Sequence, residues 1–386
     1  MAKQKYLILL GATGSIGTTT LALLKEKNII LCGFSYFNNE RSAQKIINEF
    51  PNTYAVACPK NNQGDNLSLS ANCQLLDSNE KLIDYVTNKL KNTEHTLYIL
   101  NSIVGTAGFL STLYSVDKCD YLLLANKESL VVAGHLVMEK IKKSKRTILL
   151  PIDSEHCSLF RLIENSGADI SSYTITASGG SLRDIEYSDF DKLTKAQVLN
   201  HPTWNMGQKI TVDSAGLVNK ALELIEAHFL FDIPYEKLHA VIHPQSFIHA
   251  LVSHKDSSMS LHASSPNMSM PIAFALDYPN FKKSKYSSHP IEQISKLEFS
   301  PIDLNKFPSF SLGLECGKKG GNYSAVFNIA NDIAVELFLN DKIKFTQIYL
   351  IQSKAVKNFG NENLLNMLQL QQLSKVIEET INENYV

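Results

Sequence analysis

The sequence predicts an α/β protein with a parallel sheet in its N-terminal part, a further α/β region in the middle and a helical bundle at its C-terminus. Short, continuously apolar runs of strand length alternate with helical stretches up to about residue 150, as in parallel sheets that are buried on both faces. Apolar runs that end in polar turns continue beyond that point, and helical periodicity returns near the C-terminus. We therefore expect domains at residues 1–150, 151–281 and 312–386, with a linker over residues 282–311.

Length and charge limit the classes of function. A chain of 386 residues is long for one hydrophobic core, so two or three domains are expected. The formal net charge of -1 gives no electrostatic reason to expect binding to nucleic acid or to an anionic membrane, so any anionic ligand must be held by a local site.

The six cysteines contain no Cys-x-x-Cys pair, and they indicate reduced thiols instead of a zinc site or a disulfide framework. The sequence shows no signal peptide, transit peptide or apolar run long enough to span a membrane. We therefore expect a cytoplasmic protein of bacterial type.

A glycine-rich segment follows the first predicted strand. The strand at residues 6–10 runs directly into Gly11, Gly14 and Gly17, and a helical stretch and a second strand come next. This order forms the βαβ unit of Rossmann-type dinucleotide-binding domains, in which glycines permit a tight turn and the helix N-terminus offers N–H groups to a pyrophosphate. The alternative is a tight βα turn that binds nothing.

The residues after the second strand bear on the choice between NAD and NADP. NAD-binding domains usually carry an acidic residue there for the ribose, and this chain has none directly at the strand end. Asn38, Asn39 and Arg41 could instead accommodate a 2′-phosphate, which favours NADP.

Polar residues also follow two later strands, predicted at residues 96–100 and 121–125. Ligands of parallel sheets bind beyond the carboxyl ends of the strands, so Asn126, Lys127 and Glu128 fit the same cofactor crevice. They could equally be the N-cap and first-turn charges of a helix.

Two carboxylates come directly after the strand predicted at residues 147–152. Asp153 and Glu155 are hard oxygen ligands suited to Mg²⁺ or Mn²⁺. An acidic pair at a helix N-terminus is an equally good interpretation, and His156 beside it is more often a supporting or core group.

Two loops in the middle region have features of ligand binding. A predicted strand runs into Ser178, Gly179 and Gly180, whose hydroxyl and backbone N–H groups suit a phosphate or an oxyanion, unless the segment is a plain turn. The loop at residues 201–207 contains the only tryptophan of the chain, Trp204, and an aromatic residue on a loop of this kind indicates a ligand lid.

Residues 212–228 are predicted to enter one helix, because their apolar side chains follow helical spacing. Asn219, Lys220 and Glu223 share a face of that helix. Taken alone, they suggest an exposed ion pair, and only the other motifs favour a functional site. Three later stretches with helical periodicity predict the C-terminal bundle, at residues 324–339, 346–359 and 364–381.

Seven motifs occur in a distinctive order and spacing. They are GATGSIG at 11–17, ANKE at 125–128, DSEH at 153–156, SGG at 178–180, HPTWNMG at 201–207, NK followed by a glutamate at 219–223, and HPQS at 243–246. With FNIANDIAV at 327–335, this set resembles the 1-deoxy-D-xylulose 5-phosphate reductoisomerase family from about residue 6 to at least 340. Each motif alone is weak evidence for this resemblance, whereas the ordered set is strong evidence for it.

The resemblance implies an enzyme that uses NADPH and a divalent metal to rearrange and reduce 1-deoxy-D-xylulose 5-phosphate to 2-C-methyl-D-erythritol 4-phosphate in non-mevalonate isoprenoid biosynthesis. It implies a homodimer whose subunit has an NADPH-binding domain, a central catalytic and dimerisation domain and a C-terminal helical domain. The metal would be Mg²⁺ or Mn²⁺, with Co²⁺ as a further candidate. Fosmidomycin, which mimics the phosphate of the substrate and chelates the metal, would bind in the same pocket.

The resemblance also implies roles for individual residues. The metal ligands would be Asp153, Glu155 and Glu223, and these carboxylates would form the catalytic group together with Lys220. The substrate would be bound by Lys127, Ser154, Glu155, Ser178, His201, Trp204, Met206, Ser214, Asn219 and Lys220. The cofactor would be contacted by Thr13, Gly14, Ser15, Ile16, Asn126, Glu128 and Gly207, together with Asn38 and Asn39 from the end of the second strand. Trp204 and Met206 would lie on a flap that closes over the substrate.

One departure from the family concerns the cofactor. Family members often carry a glycine and a basic residue where this chain has Phe37 and Asn38, so the preference for NADP rests on Asn38, Asn39 and Arg41. Two alternatives stay open, namely another metal-assisted NADP oxidoreductase and a non-catalytic nucleotide-binding paralogue. The intact set of acidic residues with Lys220 argues against the second.

Overall fold

The computed structural model of the chain describes residues 3–59, 67–166, 169–281, 292 and 294–385. Residues 282–291 and 293 of the predicted linker lie outside the described residues. The chain forms two compact units. Unit 1 contains residues 1–126, 137–153 and 268–285, and unit 2 contains residues 127–136, 154–267 and 286–386.

Unit 1 is built on a sheet of seven strands within the described residues. The strands are β1 Gln4–Leu10, β2 Ile29–Ser35, β3 Ala55–Ala57, β4 Gln74–Leu76, β5 His95–Asn101, β6 Tyr121–Leu124 and β7 Ile148–Pro151. Their order along the sheet is β4-β3-β2-β1-β5-β6-β7, and every neighbouring pair is parallel. This arrangement confirms the predicted parallel α/β sheet, although β3 and β4 were not predicted.

Within the described part of the first 130 residues, five helices begin. They are α1 Ser15–Leu24, α2 Glu40–Glu49, α3 Asn79–Leu90, α4 Gly108–Ser115 and α5 Glu128–Lys143. Helix α1 begins three residues before the predicted start at residue 18, because Gly14 has an extended conformation and serves as the N-cap. Helix α5 starts in unit 2 and ends in unit 1, and Ala133 (φ -150°, ψ 41°) interrupts its helical conformation.

Unit 2 contains a second, mixed sheet. Its strands are β8 Ile170–Ala177, β9 Leu238–Ile242, β10 Ile248–His254 and β11 Met259–Ala263, in the order β11-β10-β8-β9. Strands β8 and β9 are parallel, whereas β10 is antiparallel to both β8 and β11. Helix α6 Ser154–Ser166 packs against this sheet. The central region is therefore α/β, as predicted.

The helix predicted to begin at residue 212 is in fact two helices. Helix α7 Lys195–Leu199 precedes α8 Gln208–Ala215, and α9 Val218–Phe231 follows it. The break lies at Leu217, which has the left-handed φ of 55° and so cannot continue a right-handed helix. Ser214 therefore belongs to the last turn of α8, while Asn219, Lys220 and Glu223 belong to α9.

The C-terminal part of unit 2 is helical. After α10 Ser269–Asp277, which belongs to unit 1, come α11 Pro308–Lys319, α12 Tyr323–Leu339, α13 Phe345–Phe359 and α14 Met367–Tyr385. The last three match the predicted bundle to within a few residues. Helix α11 was not predicted, and it begins inside the predicted linker with a proline in its first turn, a position that proline favours.

One hydrophobic core joins the central and C-terminal regions of unit 2. Leu159 of α6, Leu222 of α9, Phe327 of α12 and Ile377 of α14 belong to the same buried cluster. The borders of the two units therefore differ from those of the predicted domains, because residues 151–281 and 312–386 largely share this core. Among the described residues, no helix combines the length and the apolar character needed to cross a membrane.

Candidate active site

The glycine-rich turn of unit 1 has the conformation that a dinucleotide loop needs. Gly11 has a φ of +82° and its N–H donates to Ser35 Oγ at 3.1 Å. A Cβ atom at Gly17 would overlap the backbone of Ala12, so only glycine permits this approach of α1 to the turn that follows β1. Gly14, the N-cap of α1, has no side chain to occupy the N–H groups of the first turn. These groups are therefore available to an anionic ligand.

Two of the side chains predicted to contact the cofactor in unit 1 have structural hydrogen bonds. The Asn126 Nδ2 donates to the carbonyl oxygens of Ile103 at 2.7 Å and Gly105 at 2.8 Å, which fixes the loop after β5. The Asn39 Oδ1 accepts the N–H of Ser42 at 3.0 Å and caps α2. Asn38 and Arg41 are exposed and lie close to Asn39 in the chain. We therefore expect a 2′-phosphate to be bound mainly by these two side chains.

Unit 2 brings two of the predicted metal ligands together. Glu155 lies in the first turn of α6 and Glu223 in α9, and their carboxylate oxygens lie within 4.8 Å of one another. Asp153, the third predicted ligand, ends the middle segment of unit 1 and directly precedes Ser154, the first residue of α6. Carboxylate oxygens that converge in this way suit a hard divalent cation.

Cationic and amide groups surround the Glu223 carboxylate. Lys127 Nζ donates to Glu223 Oε1 at 2.9 Å and to Asn219 Oδ1 at 2.8 Å. Asn219 Nδ2 donates to Glu223 Oε1 at 2.5 Å, and Lys220 Nζ donates to the other oxygen, Oε2. Lys220 Nζ also lies 3.7 Å from Glu155 Oε1. Three residues predicted to bind substrate therefore meet at one carboxylate.

The exposed ion pair suggested by the local sequence is not what the structure shows. Lys220 is 5% exposed and Glu223 is 1% exposed. A buried carboxylate is tolerated only when it is paired and hydrogen-bonded, and Glu223 has both kinds of partner.

Two histidines and a glutamate lie beside this cluster; the sequence indicated a supporting or core role for His156 and no role for His249 or Glu226. His156 Nε2 is 2.8 Å from the carbonyl oxygen of Glu223, and His156 Nδ1 is 3.3 Å from Glu226 Oε2. His249 Nδ1 is 3.6 Å from Glu155 Oε1. Glu226 lies three residues after Glu223 on the same helix, so its spacing was a usable signal, whereas His249 lies within a strand without a motif around it.

Ser178 and His201, both predicted to bind substrate, are hydrogen-bonded to each other. His201 Nε2 is 3.0 Å from Ser178 Oγ. The backbone N–H groups of Thr203 and Trp204 donate to His201 Nδ1 at 3.1 and 2.9 Å. Burial, with a smaller contribution from Arg183, lowers the pKa of His201 from 6.5 to about 4. The imidazole is therefore neutral near pH 7 and, because Nδ1 accepts, its proton lies on Nε2.

This protonation state decides what the Ser178 hydroxyl can do. Its oxygen accepts from His201 Nε2 and from the Gly180 N–H at 3.1 Å. The hydroxyl proton is then left to donate to a ligand. Gly179 and Gly180 have φ values of +89° and +68°, so the turn that presents this hydroxyl requires glycine.

Two further residues predicted to bind substrate, Ser214 and Trp204, lie near these clusters in unit 2. A Cβ atom at Gly180 would overlap the backbone of Ser214, so the Ser178–Gly180 turn packs directly on the end of α8. The ring of Trp204 is 6.3 Å from the ring of His249. Trp204 and Met206 are half-buried, and Gly207 is the exposed N-cap of α8.

Family models match three parts of the chain. Residues 7–134 match 1-deoxy-D-xylulose 5-phosphate reductoisomerase, residues 149–231 match the C-terminal domain of that enzyme, and residues 263–380 match a further model described as the DXP reductoisomerase C-terminal domain. Together, these models extend over most of the sequence.

Curated relatives and solved structures agree with the family models. The 1-deoxy-D-xylulose 5-phosphate reductoisomerase of Clostridium tetani is 38% identical over 99% of this chain and 100% of its own length. The enzyme of the same name from Leptospira interrogans is 38% identical over 97% of this chain and 95% of its own.

Two solved structures extend the comparison to the fold. A DOX-P reductoisomerase in complex with NADPH, fosmidomycin and magnesium has a TM-score of 0.87 and 32% identity over 98% of each chain. The Zymomonas mobilis enzyme in complex with NADPH has a TM-score of 0.86 and 29% identity over the same shares. Identity of 38% over the full length of a curated relative, together with the match to the family model and the shared fold, shows that the chain belongs to the 1-deoxy-D-xylulose 5-phosphate reductoisomerase family.

Proposed function

We propose that this protein uses NADPH and a divalent metal ion to convert 1-deoxy-D-xylulose 5-phosphate into 2-C-methyl-D-erythritol 4-phosphate, a step of non-mevalonate isoprenoid biosynthesis. The observation that carries the proposal is the cluster of Glu155, Glu223, Lys220, Lys127 and Asn219 in unit 2, in which Glu223 and both lysines are buried. Its carboxylates suit a hard cation and its ammonium and amide groups suit an oxygen-rich anionic substrate. Family membership over the full chain supports the same reaction.

The donor set fits a divalent cation. Glu155 and Glu223 present oxygens within 4.8 Å of one another, and the buried position of Glu223 limits competition from water. We assign Asp153 as the third ligand because it lies two residues before Glu155 in the chain. When bound, Mg²⁺ or Mn²⁺ supplies Lewis acidity towards the carbonyl and hydroxyl oxygens of the substrate.

We assign different roles to Lys220 and Lys127. Lys220 Nζ bonds to Glu223 and faces Glu155, so it is placed to bind the substrate oxygens and to stabilise the negative charge that develops on them. Lys127 bonds to Asn219 and Glu223 and orients both groups.

Neutral donors hold the phosphate group of the substrate in this proposal. The Ser178 hydroxyl is free to donate because His201 and Gly180 supply the two bonds that its oxygen accepts. Ser214 lies against the same turn, and Asn219 follows a few residues later in α9. Donors of this kind bind a phosphate without a large basic patch, which agrees with the net charge of -1.

The loop at residues 201–207 acts as the flap. Trp204 and Met206 exclude water when the loop closes, which protects reactive carbonyl fragments during the rearrangement. NADPH supplies the hydride, and the N–H groups at the start of α1 together with Asn38 and Arg41 bind its phosphates. The domain roles predicted from the sequence are retained in this proposal, with NADPH bound by residues 1–150 and catalysis by residues 151–281.

A homodimer is part of the proposal. Strand β11 is at the edge of the second sheet, and it carries the exposed apolar side chains of Met259 (61% exposed) and Leu261 (52% exposed). An exposed apolar edge strand is a surface that proteins usually cover. The cytoplasmic location stays a prediction.

The direct test is an NADPH-oxidation assay with 1-deoxy-D-xylulose 5-phosphate, with Mg²⁺ or Mn²⁺ and with a chelator. We expect loss of NADPH absorbance that requires both the sugar phosphate and the metal. Absence of oxidation with either metal would overturn the proposed reaction and would favour the nucleotide-binding paralogue. Oxidation with a different sugar phosphate or hydroxy acid only would favour the other oxidoreductase.

A further inference from the structure

Lys209 is a half-buried cation in unit 2, with 20% of its side chain exposed, and no motif of the sequence singled it out. Its Nζ lies 2.8 Å from Asp213 Oδ2, 3.0 Å from Asp332 Oδ1 and 3.2 Å from Glu128 Oε1. These carboxylates belong to α8, α12 and α5, respectively. One ammonium group therefore connects three helices through ion pairs.

The contacts continue into the C-terminal helices. Asn331 Nδ2 donates to Asp213 Oδ1 at 2.8 Å, and Gln352 Nε2 of α13 donates to Asn331 Oδ1 at 2.8 Å. Asn331 and Gln352 are fully buried. We refer to the connected side chains as the Lys209 network, and its members are Lys209, Glu128, Asp213, Asn331, Asp332 and Gln352.

Members of the network are next to residues of the proposed active site in the chain. Glu128 follows Lys127, whose Nζ is bonded to Glu223. Asp213 precedes Ser214, which packs on the Ser178–Gly180 turn. Lys209 itself comes two residues after Gly207, the last residue of the flap loop and the N-cap of α8. A displacement of the network would therefore be transmitted to all three parts of the site.

Stability alone is a weak explanation for such a network. Replacing buried ion pairs by well-packed apolar residues is often neutral or stabilising, whereas removing one partner leaves an uncompensated charge. The Lys209 network contains three carboxylates for one ammonium, which is an unfavourable charge balance for a purely structural element. The Lys209 network instead provides contacts that fix where α5, α8 and α12 meet.

We propose, on the basis of the proposed function, that Lys209 is a positioning residue which binds Glu128, Asp213 and Asp332 together and thereby holds Lys127, Ser214 and the flap loop in their active arrangement. Lys209 does not touch the substrate in this assignment. It acts through the backbone of its neighbours, and loss of its bonds displaces groups whose position determines the rate.

The main variant is Lys209→Met, and the matched control is Lys192→Met. Lys192 pairs with Asp189 on the surface of the same unit, with 79% of its side chain exposed. Steady-state kinetics would be measured at saturating NADPH and metal, at a temperature where circular dichroism shows both variants folded. We expect kcat/KM for the sugar phosphate to fall by about 100-fold in Lys209→Met, as for misplacement of catalytic groups by roughly 1 Å. We expect Lys192→Met to match the parent protein.

Fluorescence of the sole tryptophan gives a readout that is independent of activity. Trp204 lies five residues before Lys209, on the flap loop. We expect acrylamide to quench Trp204 more strongly in Lys209→Met than in Lys192→Met, because the loop loses its anchor. A role confined to stability would change neither the quenching nor kcat/KM of the folded protein, and that result would overturn the inference.

Two milder variants keep the test decisive if Lys209→Met does not fold. Lys209→Arg keeps the positive charge but changes the geometry of the three contacts, and Asp332→Asn keeps the shape but removes one charged partner. Stronger quenching of Trp204 and a lower kcat/KM in both variants would support the inference, and parent-like values in both would refute it. If the parent protein itself does not oxidise NADPH with the sugar phosphate, the proposed reaction fails, while the quenching comparison still tests the positioning role.

Discussion

Lys127 and Glu223 are 96 positions apart in the chain, yet Lys127 Nζ donates to Glu223 Oε1 at 2.9 Å and both side chains are buried. Lys220 donates to the second oxygen of the same carboxylate. A carboxylate bonded to two ammonium groups is held in one orientation, as a metal ligand must be. The bond between Lys127 and Glu223 therefore prepares the site in unit 2 before any ligand arrives.

Glu223→Gln should lower kcat by several orders of magnitude. The substitution keeps the size of the side chain but removes the negative charge that a hard cation requires. We expect weaker metal binding and nearly unchanged NADPH affinity in isothermal titration, because the glycine-rich turn lies far from position 223 in the sequence, in the other unit. Asp153→Asn should behave in the same way.

The matched control is Glu139→Gln, because Glu139 pairs with Lys143 on the exposed face of α5. It should retain the parent kcat and metal affinity. Loss of NADPH affinity with retained metal affinity in Glu223→Gln would contradict the ligand assignment.

The sequence predicted the features of this protein that depend on residues close together in the chain. Gly11 and Gly17 predicted the turn between β1 and α1. The positive φ at Gly11 and the close approach of Gly17 to Ala12 involve residues that are near one another in the chain. Asn219, Lys220 and Glu223 were placed on one helical face by their spacing alone. The family resemblance added the remaining candidates, and several of those in unit 2 lie in the hydrogen-bonded groups around Glu223 and around Ser178.

Features that depend on distant partners could not be predicted in this way. Lys209 meets Glu128 at a separation of 81 residues, and nothing in the local sequence around either residue indicates that contact. The break at Leu217 was missed because leucine favours helix, and tertiary packing overrides that propensity. The short strands β3 and β4 have three residues each, too few for a periodicity to be recognised.

Trp204 should report closure of the flap. Its ring lies 6.3 Å from that of His249, so closure over a ligand changes its surroundings. We expect the emission of Trp204 to shift when saturating NADPH and fosmidomycin are added in the presence of Mg²⁺. Trp204→Phe provides the background signal, and unchanged emission in the parent protein would contradict the assignment of this loop as a lid.

Ser178→Ala should raise KM for the sugar phosphate more than it lowers kcat. The Ser178 hydroxyl is assigned as a donor to the phosphate, and a hydrogen bond to a charged group contributes about 1.5–3 kcal/mol, or roughly 10- to 150-fold in affinity. Ser171→Ala, on the exposed part of β8, is the control and should leave KM unchanged. Equal KM values for both variants would show that Ser178 does not bind the phosphate.

His201 should make the stability of the protein sensitive to acid. The folded-state pKa of His201 is about 4 and its ordinary value is 6.5, so the unfolded chain binds more protons between these values. The contribution of His201 is complete above pH 6.5 and is lost as the pH falls towards about 4. Replacing His201 should therefore make the Tm fall less as the pH decreases from 6.5 to about 4.

The measurement is the Tm of the parent protein and of His201→Gln at several pH values. As the pH falls, the Tm of His201→Gln should increase relative to the Tm of the parent protein. His239→Gln, at an exposed site on β9, is the comparison and should show a smaller change. A difference that is independent of pH would contradict the neutral, buried imidazole and the donor role that it gives to Nε2.

Asp332→Asn should separate stability from activity. Burial raises the pKa of Asp332 from 3.8 to about 6, against the opposing effect of Lys209 and with a further increase from Glu128. The folded-state pKa lies above the unfolded value, so this group contributes stability below pH 3.8 that is lost as the pH rises through about 6. Asparagine does not ionise, and the Tm of the variant should therefore rise relative to the parent as the pH increases over this range.

Asp332→Asn also removes one of the three carboxylates that Lys209 binds. We therefore expect kcat/KM to fall at neutral pH, even though the Tm of the variant rises relative to that of the parent as the pH increases. This combination is expected when a charged network is retained for position and not for stability. The Tm and kcat/KM of both proteins, measured at pH values on either side of the Asp332 pKa, test the two effects together. A difference in Tm between the two proteins that stays constant, or that shifts in favour of the parent as the pH rises, would mean that ionisation of Asp332 does not destabilise the fold, and it would contradict this prediction.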